Sequence, residues 1–168
     1  MSDPSPDPRP APQPGDILLF FHAHRSFDYV IKLMTFSRYY HAGLYAGEGK
    51  VIEARPRGVA CNEIGSRRGG YIVLPAPDGK GADALAWAKT QIGAGYDRVN
   101  MLVMFLEHVL VRLHLNIVPY GKYSCAEFVA TAFYHAGLRL FPDQDLNDVE
   151  PKDLARLLPP GAKPHNIA

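Results

Sequence analysis

Two residues of this chain carry the side chains needed for thiol-based hydrolysis, in sequence contexts that would activate them. His41 opens the segment HAGLYAGEGKVIEA, and Cys125 directly follows Ser124, a residue type that favours helix N-caps. A thiol with a pKa near ~8.5 is mostly protonated at neutral pH. A helix N-terminus and a nearby imidazole both favour the thiolate, and the imidazolium can later protonate a leaving amine. We therefore expect Cys125 to be a nucleophile and His41 its general base.

A carboxylate twelve positions after His41 would complete a catalytic triad. Glu53 lies in the otherwise apolar segment VIEA, beyond a turn at Glu48-Gly49. If that turn joins two paired strands, residues near position 44 oppose Glu53, and His41 lies diagonally beyond them. Glu53 could then accept a hydrogen bond from the far ring nitrogen of His41. The alternative is a solvent-facing glutamate on an edge strand.

The segments around these residues predict an α+β domain. Pro14-Gly15-Asp16 is a turn before the apolar run ILLFF, and HAGLYAG and VIEA flank a glycine turn as in a β-hairpin. Further strands are expected at GVACNEI and YIVLPAP, and helices at FDYVIKLMTFSR, ADALAWAKTQI, about 97–115 and CAEFVATAFYHAG, with a short helix near Pro151. Together they predict a small antiparallel sheet packed against helices on one side.

Length and composition place these elements in a single domain, at residues 15–160. The chain has 168 residues and a net charge of +1, which gives no electrostatic reason to expect a nucleic acid partner. The proline-rich residues 1–14 are expected to be a disordered tail and 161–168 a C-terminal tail. The basic pair Arg67-Arg68 is expected in a solvated loop. Charged residues interrupt the apolar stretch that contains 101–111, so we expect a buried helix there and no transmembrane segment, with a lipid-facing helix as the alternative.

The cysteines and the N-terminal segment predict a cytoplasmic protein without a cofactor. Two cysteines are too few for a disulfide framework, and no apolar segment of a secretory signal opens the chain. Cys61 has no cap or basic neighbour to activate it, so we expect it to be inert. His22 and His24 form a His-x-His pair, but no cysteine or carboxylate cluster accompanies them, so no metal site is expected. The oligomeric state stays open.

Taken together, these motifs resemble those of the NlpC/P60 superfamily of papain-like cysteine hydrolases. HAGLYAGEGKVIEA is similar to its histidine hairpin, in which a third polar residue follows twelve positions later, and PGDILLF is similar to its opening strand. YSCAEFVATAFYHAG resembles the cysteine helix of the circularly permuted, YiiX/YebB-like branch, in which histidine precedes cysteine. The resemblance spans about Pro14 to Leu157. It implies a papain-like fold with Cys125 as nucleophile, His41 as base and Glu53 as orienting residue.

The resemblance also implies a reaction, the cleavage of a peptide or N-acyl amide through a Cys125 thioester. The lecithin:retinol acyltransferase-like lipid enzymes share the permuted order, but usually have a second histidine and an asparagine where Glu53 and Ser124 stand here, which favours the YiiX-like branch. A lipid acyl hydrolase or acyltransferase is one alternative, and a catalytically silent domain that binds a peptide or lipid tail is another. Tyr123 and Ser124 are candidates for the oxyanion site or the cleft, and Glu127 is expected to be structural.

Overall fold

The structure, a computed structural model, describes residues 11–21, 39–55, 57–67, 69–93 and 124–167. These ranges contain six strands: β1 (Ile17–Phe21), β2 (Tyr39–Gly47), β3 (Lys50–Arg55), β4 (Gly58–Glu63), β5 (Gly69–Leu74) and β6 (Pro164–Ile167). They also contain the helices α1 (Gly81–Thr90), α2 (Cys125–His135) and α3 (Pro151–Ala155). Short 3-10 turns occupy Ile64–Ser66, Pro77–Gly79 and Leu146–Asp148.

The six strands form one antiparallel sheet in the order β4-β3-β2-β1-β5-β6. Strands β1 and β2 lie at its centre, and every residue of β1 is buried. An apolar run without polar alternation is what a strand covered on both faces requires. The expectation of an α+β domain with a small antiparallel sheet is therefore confirmed.

Alternating side chains divide the apolar residues between the two faces of the sheet. One face packs against the described helices and forms a cluster with Ile17, Leu19, Leu44, Ile52, Phe128, Val129, Phe133 and Leu154 at its centre. The other face carries a second buried cluster, formed by Leu18, Phe20, Tyr40, Val51, Ile64 and Val73. All three described helices thus lie on the first face, as the sequence predicts.

Strands β2 and β3 form the expected hairpin around Glu48 and Gly49. Both turn residues have positive φ, 51° and 69°, as a two-residue turn of type I′ requires. Glycine adopts this backbone without steric conflict, which explains its place in the turn. The paired register runs from Gly47–Lys50 to Leu44–Ile52 and ends there.

Helix α2 begins at a capping box. The Ser124 Oγ accepts a hydrogen bond from the Glu127 N–H at 3.1 Å, and the Glu127 carboxylate accepts one from the Ser124 N–H at 2.9 Å. This arrangement satisfies one donor of the first helical turn and one of the preceding residue. Cys125 is consequently the first residue of the helix, as expected, and Glu127 has the structural role expected of it.

The C-terminal residues are the point at which the fold differs from the predicted domain boundaries. We expected 161–168 to be a tail, but Pro164–Ile167 is strand β6, which pairs with β5 at the edge of the sheet. The segment PHNI has no apolar run, so its sequence gives no strand signal, and the His165 ring instead stacks on Tyr71 at 5.0 Å between centroids.

Several expectations lie outside the described residues. These are the tail at 1–10, the helices expected at 27–38 and 97–115, including the apolar segment 101–111, and the residues Tyr123, His22 and His24. Within the described ranges, no helix is long and apolar enough to cross a membrane.

Candidate active site

The β2–β3 hairpin brings His41 and Glu53 into direct contact. The distance between His41 Nε2 and Glu53 Oε2 is 2.6 Å, and both side chains are buried. Because an ionised carboxylate only accepts hydrogen bonds, Nε2 carries the hydrogen and donates it. The diagonal contact anticipated from the twelve-residue spacing is therefore present.

Gly43 makes this diagonal contact sterically feasible. It lies between His41 and Glu53 on the same face of the hairpin, two positions after His41. A Cβ atom at this position would lie 2.6 Å from Val51 Cγ2 and 3.1 Å from Glu53 Cβ. The absence of a side chain at Gly43 leaves the space through which Glu53 reaches His41.

Cys125 approaches this pair from the other side of the sheet, at the start of α2. Its side chain is partly exposed, and its sulfur interacts with the His41 ring and with the N–H groups of Ala42 and Ala126. Since Nε2 of His41 is engaged by Glu53, the ring nitrogen left for the sulfur is Nδ1. The three residues therefore form a continuous series, Cys125–His41–Glu53.

The N–H of Ala42 is available to the sulfur because the β2–β3 ladder stops short of it. The Tyr45 N–H donates to Asp16 O at 2.8 Å, on the β1 side. Backbone groups alternate sides along a strand, so the Ala42 N–H points toward β3. The ladder to β3 ends at Leu44–Ile52. The Ala42 N–H, which lowers the pKa of Cys125, thus lies beyond the paired register of β2 with β3.

The charges of the three residues stabilise one another. Burial by itself lowers the pKa of His41, but Cys125 and Glu53 outweigh it and raise this pKa to about 9. Burial by itself raises the pKa of Cys125, but His41 and the two backbone N–H groups lower it below its ordinary value. Burial by itself also raises the pKa of the Glu53 carboxyl, but His41 and Arg67 outweigh it and keep this pKa well below its usual range. The arrangement favours a thiolate–imidazolium ion pair beside an ionised carboxylate.

The second oxygen of Glu53 is held by three donors. Arg55 Nε and Asn62 Nδ2 donate to Oε1 at 2.8 and 2.9 Å, and Arg67 Nη2 donates to the same atom. The expectation of a solvated loop is wrong for Arg67, because only 8% of its side chain is exposed. Its position fourteen residues from Glu53 follows no local periodicity, so only the register of β3 with β4 could have revealed the contact.

The remaining candidates of the sequence analysis are placed as follows. Ser124 is exposed beside Cys125, with its N–H and its Oγ lone pair engaged in the cap, so its oxyanion role stays a prediction. Cys61 is exposed on the edge strand β4, where it pairs with Ile52. In the part of the chain that the structure describes, no three histidine, cysteine or carboxylate side chains group as a metal site.

In comparisons with known proteins, no family model matches the chain, and no curated protein matches it significantly.

Proposed function

We propose that this protein is a cysteine hydrolase that cleaves an amide bond through a thioester on Cys125. The observation that carries the proposal is the series of contacts from the sulfur through the His41 ring to the buried Glu53. Burying a carboxylate is unfavourable unless it is well paired. Activation of the Cys125 thiol through His41 explains why a charged carboxylate is buried at Glu53, whereas packing alone does not.

We further propose that the chain belongs with the circularly permuted, YiiX-like NlpC/P60 hydrolases of papain-like fold. The supporting features are the order of His41 before Cys125, the hairpin that carries His41 and Glu53, and the packing of the cysteine helix α2 against the sheet. The glutamate at the third position favours this branch over the lipid-modifying one.

The proposed reaction proceeds in two steps. The Cys125 thiolate attacks the carbonyl carbon of the amide, and the carbonyl electron pair moves to oxygen. When the tetrahedral intermediate collapses, the C–N bond breaks and the amine takes the proton from the His41 imidazolium. The neutral imidazole then removes a proton from water, whose oxygen attacks the thioester. The acid leaves and the thiolate–imidazolium pair is restored.

The start of α2 supplies a donor for the developing oxyanion. The first N–H groups of a helix have no intrahelical acceptor. Here the Glu127 N–H is used by Ser124 and the Ala126 N–H by the sulfur. The N–H of Cys125 itself is left to donate to the substrate oxygen, in a position where the helix dipole also favours negative charge.

A peptide bond or an N-acyl amide is the proposed substrate. The lipid alternative rests on the permuted order shared with the lipid enzymes and on the apolar segment 101–111, which lies outside the described residues. The silent binding domain is disfavoured by the intact series from Cys125 to Glu53, since binding a peptide or acyl chain requires no ion pair.

A panel of acyl probes tests the proposal. Peptide anilides, N-acyl anilides of graded chain length and the matching activated esters are each incubated with the protein, and intact mass spectrometry detects the acyl-enzyme. We expect an adduct on Cys125 that disappears as product forms. Glu53→Gln should reduce turnover by roughly 10-fold or more.

Matched cysteine variants provide the controls. Cys61→Ala should retain the adduct and its turnover, whereas Cys125→Ala should lose both. The proposal is wrong if Cys125→Ala still forms the adduct, or if wild-type protein forms none with any probe. If only the long-chain esters react, the substrate is a lipid and the amide assignment is wrong.

A further inference from the structure

Arg67 contacts two members of one compact group of side chains around the candidate active site. Its Nη2 donates to Glu53 Oε1, and its Cζ lies 4.2 Å from the ring centroid of Phe20. Phe20 in turn packs against His41, with 5.8 Å between the ring centroids. Glu53 and His41 complete the group through their 2.6 Å contact. Arg67 is therefore coupled to His41 by two routes, one through charge and one through packing.

The backbone at Arg67 is fixed to the same hairpin. The Ile64 N–H donates to Gly49 O at 2.8 Å, and the Arg67 N–H donates to Ile64 O at 3.1 Å across the 3-10 turn. Ile64 itself is buried in the cluster with Phe20. The Arg67 residue is thus fixed at its backbone by the 3-10 turn and at its guanidinium by Glu53.

Stability alone does not account for a buried arginine at this place. In the part of the chain that the structure describes, Arg67 Nε and Nη1 are buried without a hydrogen-bond partner. Unpaired buried donors destabilise a fold, and an apolar side chain over Phe20 would avoid that loss. Two further donors, Arg55 and Asn62, already bond to Glu53 Oε1.

We propose that Arg67 is a positioning residue that acts on His41 through Glu53: its guanidinium offsets part of the Glu53 charge, while Arg55 and Asn62 also hold Oε1 and keep Oε2 toward His41. The inference rests on the proposed function. With the charge partly offset, the imidazolium remains acidic enough to protonate a leaving amine. Without Arg67, the carboxylate would hold the proton on His41 more strongly, and proton transfer to the amine would become less favourable.

The charged and titratable groups around this pair come from four places in the fold. Cys125 faces His41 from α2, and Glu53 faces it from β3. Tyr40 stacks beside it on β2, with 6.4 Å between ring centroids. Arg55 and Arg67 face Glu53 from β3 and from the segment after β4. Of the two arginines, Arg55 is more exposed, at 35% against 8%, so solvent screens its charge more effectively.

The test is the apparent pKa of His41, followed by NMR of its ring protons in the full chain and assigned with His41→Gln. Arg67→Gln and Arg67→Met should raise it by about one unit, because the Glu53 charge is no longer offset. Arg67→Lys should leave it close to wild type. Arg55→Gln is the matched control and should produce less than half of the Arg67→Gln shift.

An unchanged His41 pKa in a folded Arg67→Gln or Arg67→Met variant overturns the inference. A full-unit rise of the His41 pKa in Arg67→Lys also overturns it, because this variant retains the positive charge. The Arg67→Lys result serves as the test if neither neutral variant folds. These outcomes are separate from those of the acyl-enzyme experiment. A Cys125 that never forms an adduct defeats the proposed function while leaving the measured coupling of Arg67 to His41 intact.

Discussion

His41 has a negative partner on each side of its ring, Cys125 at Nδ1 and Glu53 at Nε2. Its pKa is raised to about 9, while that of Cys125 is lowered. The stabilisation due to His41 is therefore complete below its ordinary pKa of about 6.5 and is lost as the pH rises through 9. The stabilisation due to the Cys125 thiolate has the opposite pH dependence and is lost as the pH falls. The two pKa values shift in opposite directions, which favours a thiolate–imidazolium pair of Cys125 and His41.

Selective alkylation of Cys125 follows from this ion pair. At pH 6, iodoacetamide should label Cys125 at least about 10-fold faster than Cys61, since each unit of pKa changes the thiolate fraction tenfold. His41→Gln should remove most of this advantage. Peptide mass spectrometry measures both cysteines in one sample, so Cys61 serves as the internal control. Faster labelling of Cys61 at pH 6 would show that Cys125 is not activated.

The single residues of the site differ in how far their sequence context reveals them. Cys125, His41 and Glu53 could be found because a cap, a hairpin and a twelve-residue spacing each predict a local geometry. Arg67 could not, because its contact with Glu53 depends on the register of β3 with β4 and on the 3-10 turn that follows. Local spacing does not encode a contact formed by tertiary packing.

The β2–β3 hairpin depends on a glycine in the strand as well as on the glycine in the turn. Gly43 faces Val51 and Glu53 at distances that no side chain could occupy. A β-strand with glycine in its interior is weakened, because glycine loses more backbone entropy on folding. At this position the loss is offset by the close approach of the two strands beside His41 and Glu53.

Gly43→Ala should separate the strands and move Glu53 away from His41. We expect the free energy of unfolding to fall by about 1–3 kcal/mol, as in other overpacked sites, and the Cys125 labelling rate at pH 6 to fall with it. Urea denaturation and alkylation measure the two effects. Gly65→Ala is the matched control, because a Cβ there meets nothing within 4 Å. Equal behaviour of the two variants would mean that Gly43 does not define the contact.

At the level of the whole molecule, one edge of the sheet is formed by strand β6, which the sequence does not predict. Apolar runs and turn residues predict β1 to β5, but the alternation in PHNI is too short and too polar to predict β6. The Tyr71–His165 stack and the partly buried Ile167 instead attach β6 to the second apolar cluster. The predicted boundary of the domain at residue 160 is wrong because β6 is held by long-range packing that its local sequence does not encode.

Removal of residues 164–168 should therefore destabilise the domain. Four residue pairs between β5 and β6 are lost, which corresponds to about 1–3 kcal/mol in the free energy of unfolding. The freed edge of β5 should also promote aggregation, which light scattering measures. His165→Ala, which removes only the stacked ring, should produce a smaller change. If the truncated protein is as stable and as monodisperse as the full chain, β6 is dispensable.

The place where the β2–β3 ladder stops has a consequence for spectroscopy. The Ala42 N–H lowers the pKa of Cys125 and lies beyond the last pair of β2 with β3, so its chemical shift and its exchange with deuterium should respond to the charge on Cys125. A thiolate, a protonated thiol and a thioester present three different acceptors to this one hydrogen. The resonance of a single backbone amide can thus report the state of the sulfur in real time, with no chromogenic substrate and no label attached.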